Sequence, residues 1–237
     1  MIGETTAGDG PAPAPDMVLE HLLRTRFSCR AFRPEPVPRA TIRRVLDIAQ
    51  RTATWCNTQP WQVTVTMPPA TERLRTALYG RATGDAPTGS DLPWPREYRG
   101  VYLARRRETG FALYEALGIG RADMEARQRQ VLENFRLFGA PHLALITSDE
   151  ALGTYGALDC GAYVANFLSA AQACGVGAIA QAALAHHSEF LRDHFGITDD
   201  RLVVCGISFG FADETHPVNG FRTSRAAAEE AVRFVEE

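Results

Sequence analysis

The residues of this sequence best equipped for chemistry are cationic and lie towards its two ends. In "RTRFSCRAF" (24–32), Arg24, Arg26 and Arg30 surround Ser28 and Cys29, with no carboxylate in the stretch. A guanidinium is planar, permanently charged and able to fork onto phosphate oxygens, and Ser28 with its neighbouring backbone N–H groups adds further donors. The pattern reads as a seat for an anion. Far along the chain, "NGFRTSR" contributes Arg222, Thr223 and Arg225 in a second donor-rich loop. Two such loops can close on one phosphate, although either alone equally suits a solvated turn.

A third stretch, "NTQPW" (57–61), sets the amides of Asn57 and Gln59 beside Pro60 and Trp61. An amide presents donor and acceptor on one group, which suits the edge of a heterocycle; the same residues also make an ordinary turn with Trp61 entering the core. His186, His187 and His194 lie close together but have neither H-E-x-x-H spacing nor cysteine partners, so they read as a helix face rather than a metal site. "GVGAIA" lacks the third glycine of a dinucleotide fingerprint and follows a helix instead of a strand. Cys56 reads as a packed or bystander thiol.

Composition narrows the function classes. The chain has 237 residues, 45% hydrophobic and 22% charged, with a formal net charge of −3. That length suits one domain with a substantial core, and that charge offers no footprint for nucleic acid. No apolar run approaches a bilayer span, and "MIGETTAGDGPAPAP" lacks the basic start and apolar middle of a signal peptide, so a cytoplasmic protein is expected. Cys29, Cys56, Cys160, Cys174 and Cys205 are odd in number and scattered, as free thiols are.

The elements that must position these loops follow from periodicity. Residues 1–15 read as a flexible tail, and 16–237 as one domain. Helices are predicted from Asp16 as N-cap, across Ile42, Val45, Leu46 and Ala49, around Leu74 and Leu78, over about 101–117 and 122–137, through a small-residue stretch 154–175 that should be fully buried, either central in the fold or at a subunit interface, and in "HSEFLRDHF". Strands are predicted at 61–67, in "APHLALITSD", "GAIAQA" and "RLVVCGISFGF", with a last short helix near the end. Residues 80–100 carry too much Gly, Pro and Asp for regular structure. The whole reads as α+β around a central sheet.

Five stretches, "RTRFSCRAF", "NTQPW", "YVANFLSAAQACGVGA", "AQAAL" and "GISFGFADETHPVNGFRTSR", occur in an order and spacing that resembles the nitroreductase family of FMN-dependent oxidoreductases, in particular its nitrobenzoate-reductase-like branch. The resemblance runs from Asp16 onward. It implies a mixed, mainly antiparallel sheet flanked by helices, and a homodimer with an extensive helical interface. It implies FMN as cofactor, with NADH or NADPH as donor in a ping-pong cycle. An electron-poor acceptor such as a nitroaromatic or quinone would be the partner, with neither nucleic acid nor membrane.

Carried onto this sequence, the resemblance puts Arg26, Phe27, Ser28 and Cys29 around the FMN phosphate with Arg225 and Arg222, and Arg30 at the pyrimidine end. Thr54, Trp55, Asn57 and Gln59 would reach the partner subunit's flavin; here Ala53 and Thr54 stand where the family commonly has Pro and Ser. Ala180, Gln181, Ala182 and Ala183 would pass the central ring, with a backbone N–H facing N5, and Ala180 stands where Pro is frequent. No side chain is assigned as catalytic, because flavin N5 carries the chemistry. Residues 80–138 would form an excursion over the site, in which Tyr98, Arg105 and Phe138 are either substrate contacts or a solvated basic face. Two other readings stay open: an FMN-dependent dehydrogenase or oxidase of a small metabolite, and a flavin-binding protein without turnover.

Overall fold

The apolar run "RLVVCGISFG" forms β4 (Arg201–Gly210), which lies inside a four-stranded sheet and is buried on both faces along its second half. It pairs antiparallel with β2 (His142–Asp149) on one side and β3 (Gly177–Gln181) on the other, and β1 (Gln62–Val65) closes the far edge of β2. The strand order is therefore β1-β2-β4-β3. A parallel bridge from Ser28 to Ala178 makes the sheet mixed at its other edge. The computed structural model describes residues 13–236, so the expected tail lies almost wholly outside the described residues.

Alternation along the strands feeds two cores. Ala144 and Ile146 of β2 face one layer, with α2 (Arg39–Ala49) and α6 (Gly153–Ala173); Leu143 and Leu145 face the other, with α3 (Ala70–Thr83) and α7 (Ser188–Phe195). Val203 and Cys205 have the same parity yet enter opposite cores. The pairing steps from Val203 to Cys205 across Thr147 and Ile146, so the extra residue Val204 forms a bulge that turns the strand over.

The helices depart from expectation in instructive places. α1 (Pro15–Thr25) opens on Pro15, whose missing N–H costs nothing at a helix start; Asp16 makes no cap and sits in the first turn. α4 (Gly100–Ala116) matches its expected span, but α5 (Met124–Leu132) stops early because Leu137 and Phe138 take positive φ angles of 57° and 51°. Phe138 is buried, which removes it from a solvated face. α6 is not buried all round within one chain, which speaks against a place central in the fold: Tyr163 and Phe167 point inward while Tyr155 and Leu158 are 58% and 65% exposed. The last predicted helix is a single 3₁₀ turn at Ala228–Glu230, since its Ala-rich segment has no buried residue to anchor it.

His142 ties the sheet to the segment before α2. The Val37 N–H donates to Nε2 at 2.9 Å, which leaves the proton on Nδ1 to donate to the Thr66 carbonyl at 3.1 Å. The ring is fully buried, and burial lowers its pKa from 6.5. A folded chain that resists a proton the unfolded chain accepts is fully stabilised above pH 6.5 and loses stability as pH falls below it. Denaturation curves between about pH 7.5 and 5.5 should therefore slope downward, by up to about 1.4 kcal/mol per pH unit for one such histidine. His142→Gln is expected to be less stable at neutral pH but to show a shallower slope; an unchanged slope contradicts this role.

Candidate functional site

The first arginine loop is fixed by β3. The Cys29 N–H donates to the Ala178 carbonyl at 3.2 Å, and a Cβ on Gly177 would sit 3.1 Å from the Cys29 sulfur, so any larger residue there would push the loop back by a few tenths of an ångström. Burial raises the Cys29 thiol to about 11, which leaves it a packing group and no nucleophile. Arg24, in contrast, pairs with Glu20 at 2.7 Å on the exposed face of α1, so its charge is already answered although it lines the same groove.

The second arginine loop is locked to the first by Asn219, a buried residue between them. Its side-chain oxygen accepts from the Arg30 N–H at 2.8 Å, and its amide donates to the carbonyls of Ala31 and Asp213, each at 2.8 Å. The aromatic rings interleave as well: Arg222 lies 4.1 Å over Phe27, and Arg30 lies 5.6 Å over Phe221, so each loop's ring carries the other loop's cation.

The two loops line one groove of about 1440 Å³, with Arg26, Ser28 and Arg30 on one side and Arg222, Ser224 and Arg225 on the other. No ion pair involves Arg26, Arg30, Arg222 or Arg225 among the described residues. Burial and then the charge of Arg225 lower the pKa of Arg26, and burial lowers that of Arg30. Asp16, Glu20 and Glu108 also line the groove, but none pairs with these four arginines, and partly desolvated cations without an ion-pair partner are what an anion seat requires. Arg30 also lines a second cavity of about 330 Å³, bounded by Ala126, Arg129 and Gln130 of α5, by Glu133 just after it, and by His216 and Val218.

Beyond Ala178 the outer edge of β3 continues. Because alternate residues present their backbone to the same edge, Ala180 turns its N–H and carbonyl the way Ala178 does, and its small side chain leaves the approach open. Ala182 and Ala183 begin the 3₁₀ turn that follows. The Gln181 side chain is not available to a ligand: it is buried, donates to the carbonyl and side-chain oxygens of Asn134 at 2.9 and 3.3 Å, and accepts from the Ser208 hydroxyl. The run Gly206-Ile207-Ser208-Phe209-Gly210 has nucleophile-elbow spacing, yet Ser208 is buried within β4 and spent on Gln181, which excludes that chemistry.

Thr54, Trp55, Asn57 and Gln59 do not join the groove. Trp55 is 60% exposed and stands edge-on to Tyr155 of α6, with ring centroids 4.5 Å apart. Cys56, Asn57 and Gln59 all have positive φ, near 50°, a concentration of strained residues that surrounding structure must impose. A chain of amides does so: Trp61 Nε1 donates to Gln50 at 3.0 Å, Gln50 to Gln59 at 3.0 Å, and Gln59 to the carbonyl and side-chain oxygens of Asn57, both at 3.2 Å. Gln59 is thereby a scaffold. Arg201, buried, adds a bond to the Pro60 carbonyl at 2.9 Å.

Sequence patterns missed Asn219, Arg201 and Asn134, because each works by binding backbone carbonyls or amides far away in the chain. Only the Asn219 position, inside the already suspected terminal loop, carried any signal.

The model of the nitroreductase family matches residues 23–211 of this sequence. The chain belongs to the nitroreductase family. As a nitroreductase it is 36% identical over 231 residues to nitroreductase NfnB of Mycolicibacterium smegmatis, covering 97% of each chain. It is 30% identical to a 4-nitrobenzoate reductase of Pseudomonas putida, covering 90% of this chain and 94% of that one. Its fold superposes with a TM-score of 0.88 on the crystal structure of FMN-dependent NfnB from Mycobacterium smegmatis in complex with NADPH, at 35% identity over 93% of this chain and 99% of that one.

For this nitroreductase, Asn219→Ala should leave the Arg30 N–H and two carbonyls without their partner and cost about 2–3 kcal/mol in equilibrium denaturation. An unchanged midpoint would show that the two loops are not cross-linked through this side chain.

Proposed function

We propose that the protein is an FMN-dependent oxidoreductase that takes hydride from NADPH or NADH and reduces an electron-poor acceptor such as a nitroaromatic or a quinone. The observation that carries this reading is the interleaved seat made by Arg26 and Ser28 with Arg222 and Arg225, whose arginines form no ion pair among the described residues, in a chain similar over nearly its whole length to nitroreductases. FMN fits that seat, because its phosphate dianion answers cations that otherwise repel one another. When bound, it supplies the hydride-accepting and hydride-donating centre.

The chain's own residues divide the remaining work. Arg26, Ser28 and Arg225 hold the phosphate, while Phe27 is the platform for Arg222 and Cys29 the packed anchor of the loop. Arg30 brings a fixed positive charge to the pyrimidine end, where reduction adds electron density, and its place costs no reorganisation at the moment of transfer. Ala180, Ala182 and Ala183, with the backbone alone of Gln181, give the ring system a close-fitting edge. No general acid or base is needed from the side chains.

We further propose a homodimer. The loop carrying Thr54, Trp55 and Asn57 lies off its own groove. α6 exposes Tyr155 and Leu158, and α1 exposes Leu19 and Leu23. A second copy covering these faces would bring Trp55 and the outward amide of Asn57 to the partner subunit's cofactor, with Gln59 supporting them. The cytoplasm suits this protein: its five cysteines are unpaired, and among the described residues no helix is long and apolar enough to cross a membrane.

Purified protein loaded with FMN should oxidise NADPH or NADH when a nitroaromatic or quinone is present; absence of turnover with both donors overturns the proposal. Arg225→Ala should weaken FMN binding by about tenfold or more, since it removes one charged arm of the phosphate seat. Activity of that variant should fall on dilution and return with added FMN. Undiminished FMN retention would move the phosphate elsewhere.

A further inference from the structure

The terminal arginine loop is held against Arg26 by contacts beyond Asn219. Among the described residues, residues 223–236 make two hydrogen-bonded contacts with the rest of the chain. The Ser224 hydroxyl donates to Glu108 Oε1 at 3.0 Å, and Arg105 donates to Glu230 at 3.2 Å. Ser224 lies between Arg222 and Arg225. Arg105 and Glu108 are three residues apart on α4, hence on one helix face, and both line the groove.

Resting on the FMN reading above, we infer that Glu108 is a positioning residue for the phosphate seat: by holding Ser224, helix α4 clasps the terminal loop and aims Arg225 into the groove. The chemistry makes this assignment pointed. A carboxylate on the wall of an anion groove lowers affinity by charge alone, so its presence there is opposed by simple electrostatics. Its hydrogen bond works the other way, by keeping a mutually repelling pair of guanidinium groups in place. The excursion that carries α4 thus helps to complete the cofactor site.

The two effects have opposite signs, and FMN dissociation constants measured by flavin fluorescence quenching separate them. Glu108→Ala and Ser224→Ala should each weaken binding about fivefold, the scale of one partly exposed hydrogen bond to a charged group. The double variant should be no weaker than either single one, because both remove the same contact. Glu108→Gln, which keeps an acceptor and discards the charge, should bind within about twofold of the wild type. Binding by Glu108→Ala as tight as wild type or tighter, or losses that add in the double variant, would overturn the clasp while leaving FMN binding itself intact. A wild-type protein that quenches no FMN would overturn the reading of the site and the clasp together.

Discussion

Arg26 and Arg225 come from opposite ends of the sequence and share one groove, close enough that the charge of one disfavours the charge of the other. Such a pair does not gather by itself. Much of the architecture around it can be understood as the means of holding two cations together until an anion relieves them. The sheet places β3 beside β4, so that the loop before the first core helix and the extension after the last strand meet at one edge. Asn219 then stitches the loops backbone to backbone, and the reciprocal stacking of Arg222 on Phe27 and Arg30 on Phe221 disperses the charge over aromatic faces.

The same economy marks the rest of the site. Side chains that could compete for chemistry are spent on scaffolding: Gln181 on Asn134 and Ser208, Gln59 on Asn57 and Gln50, and Cys29 as a thiol that burial keeps protonated. What remains open is a strand edge with small side chains and a set of fixed positive charges. That is a suitable environment for a reaction whose electrons travel through a bound cofactor, where the protein contributes orientation and electrostatics without reorganising.

The strands, the Leu74 and Leu78 helix face and both arginine loops were legible in the sequence, because they depend on local period and on residue type. The misreadings share a different cause. Asp16 looked like a cap, but Pro15 begins the helix; the helix after α4 looked longer, but Leu137 and Phe138 bend the chain through positive φ; the alanine-rich end looked helical, but has nothing to pack against. Gln181 entered the site by resemblance, as part of a turn that offers its backbone, and only the tertiary fold shows its side chain directed at Asn134. Arg201 escaped notice because its Pro60 partner is a backbone atom distant in sequence, and Asn219 because its bonds to Arg30 and Ala31 are equally remote, which leaves no spacing to read.

Comparison of FMN with riboflavin tests the central claim most directly, since the two ligands differ by the phosphate alone. Titrated into apoprotein at low ionic strength, FMN should bind at least about a hundredfold more tightly than riboflavin, as several charge-assisted hydrogen bonds to one phosphate require. Raising the salt should narrow the gap. Equal affinity for the two ligands would contradict the account, for the arginine loops would then have no phosphate to hold.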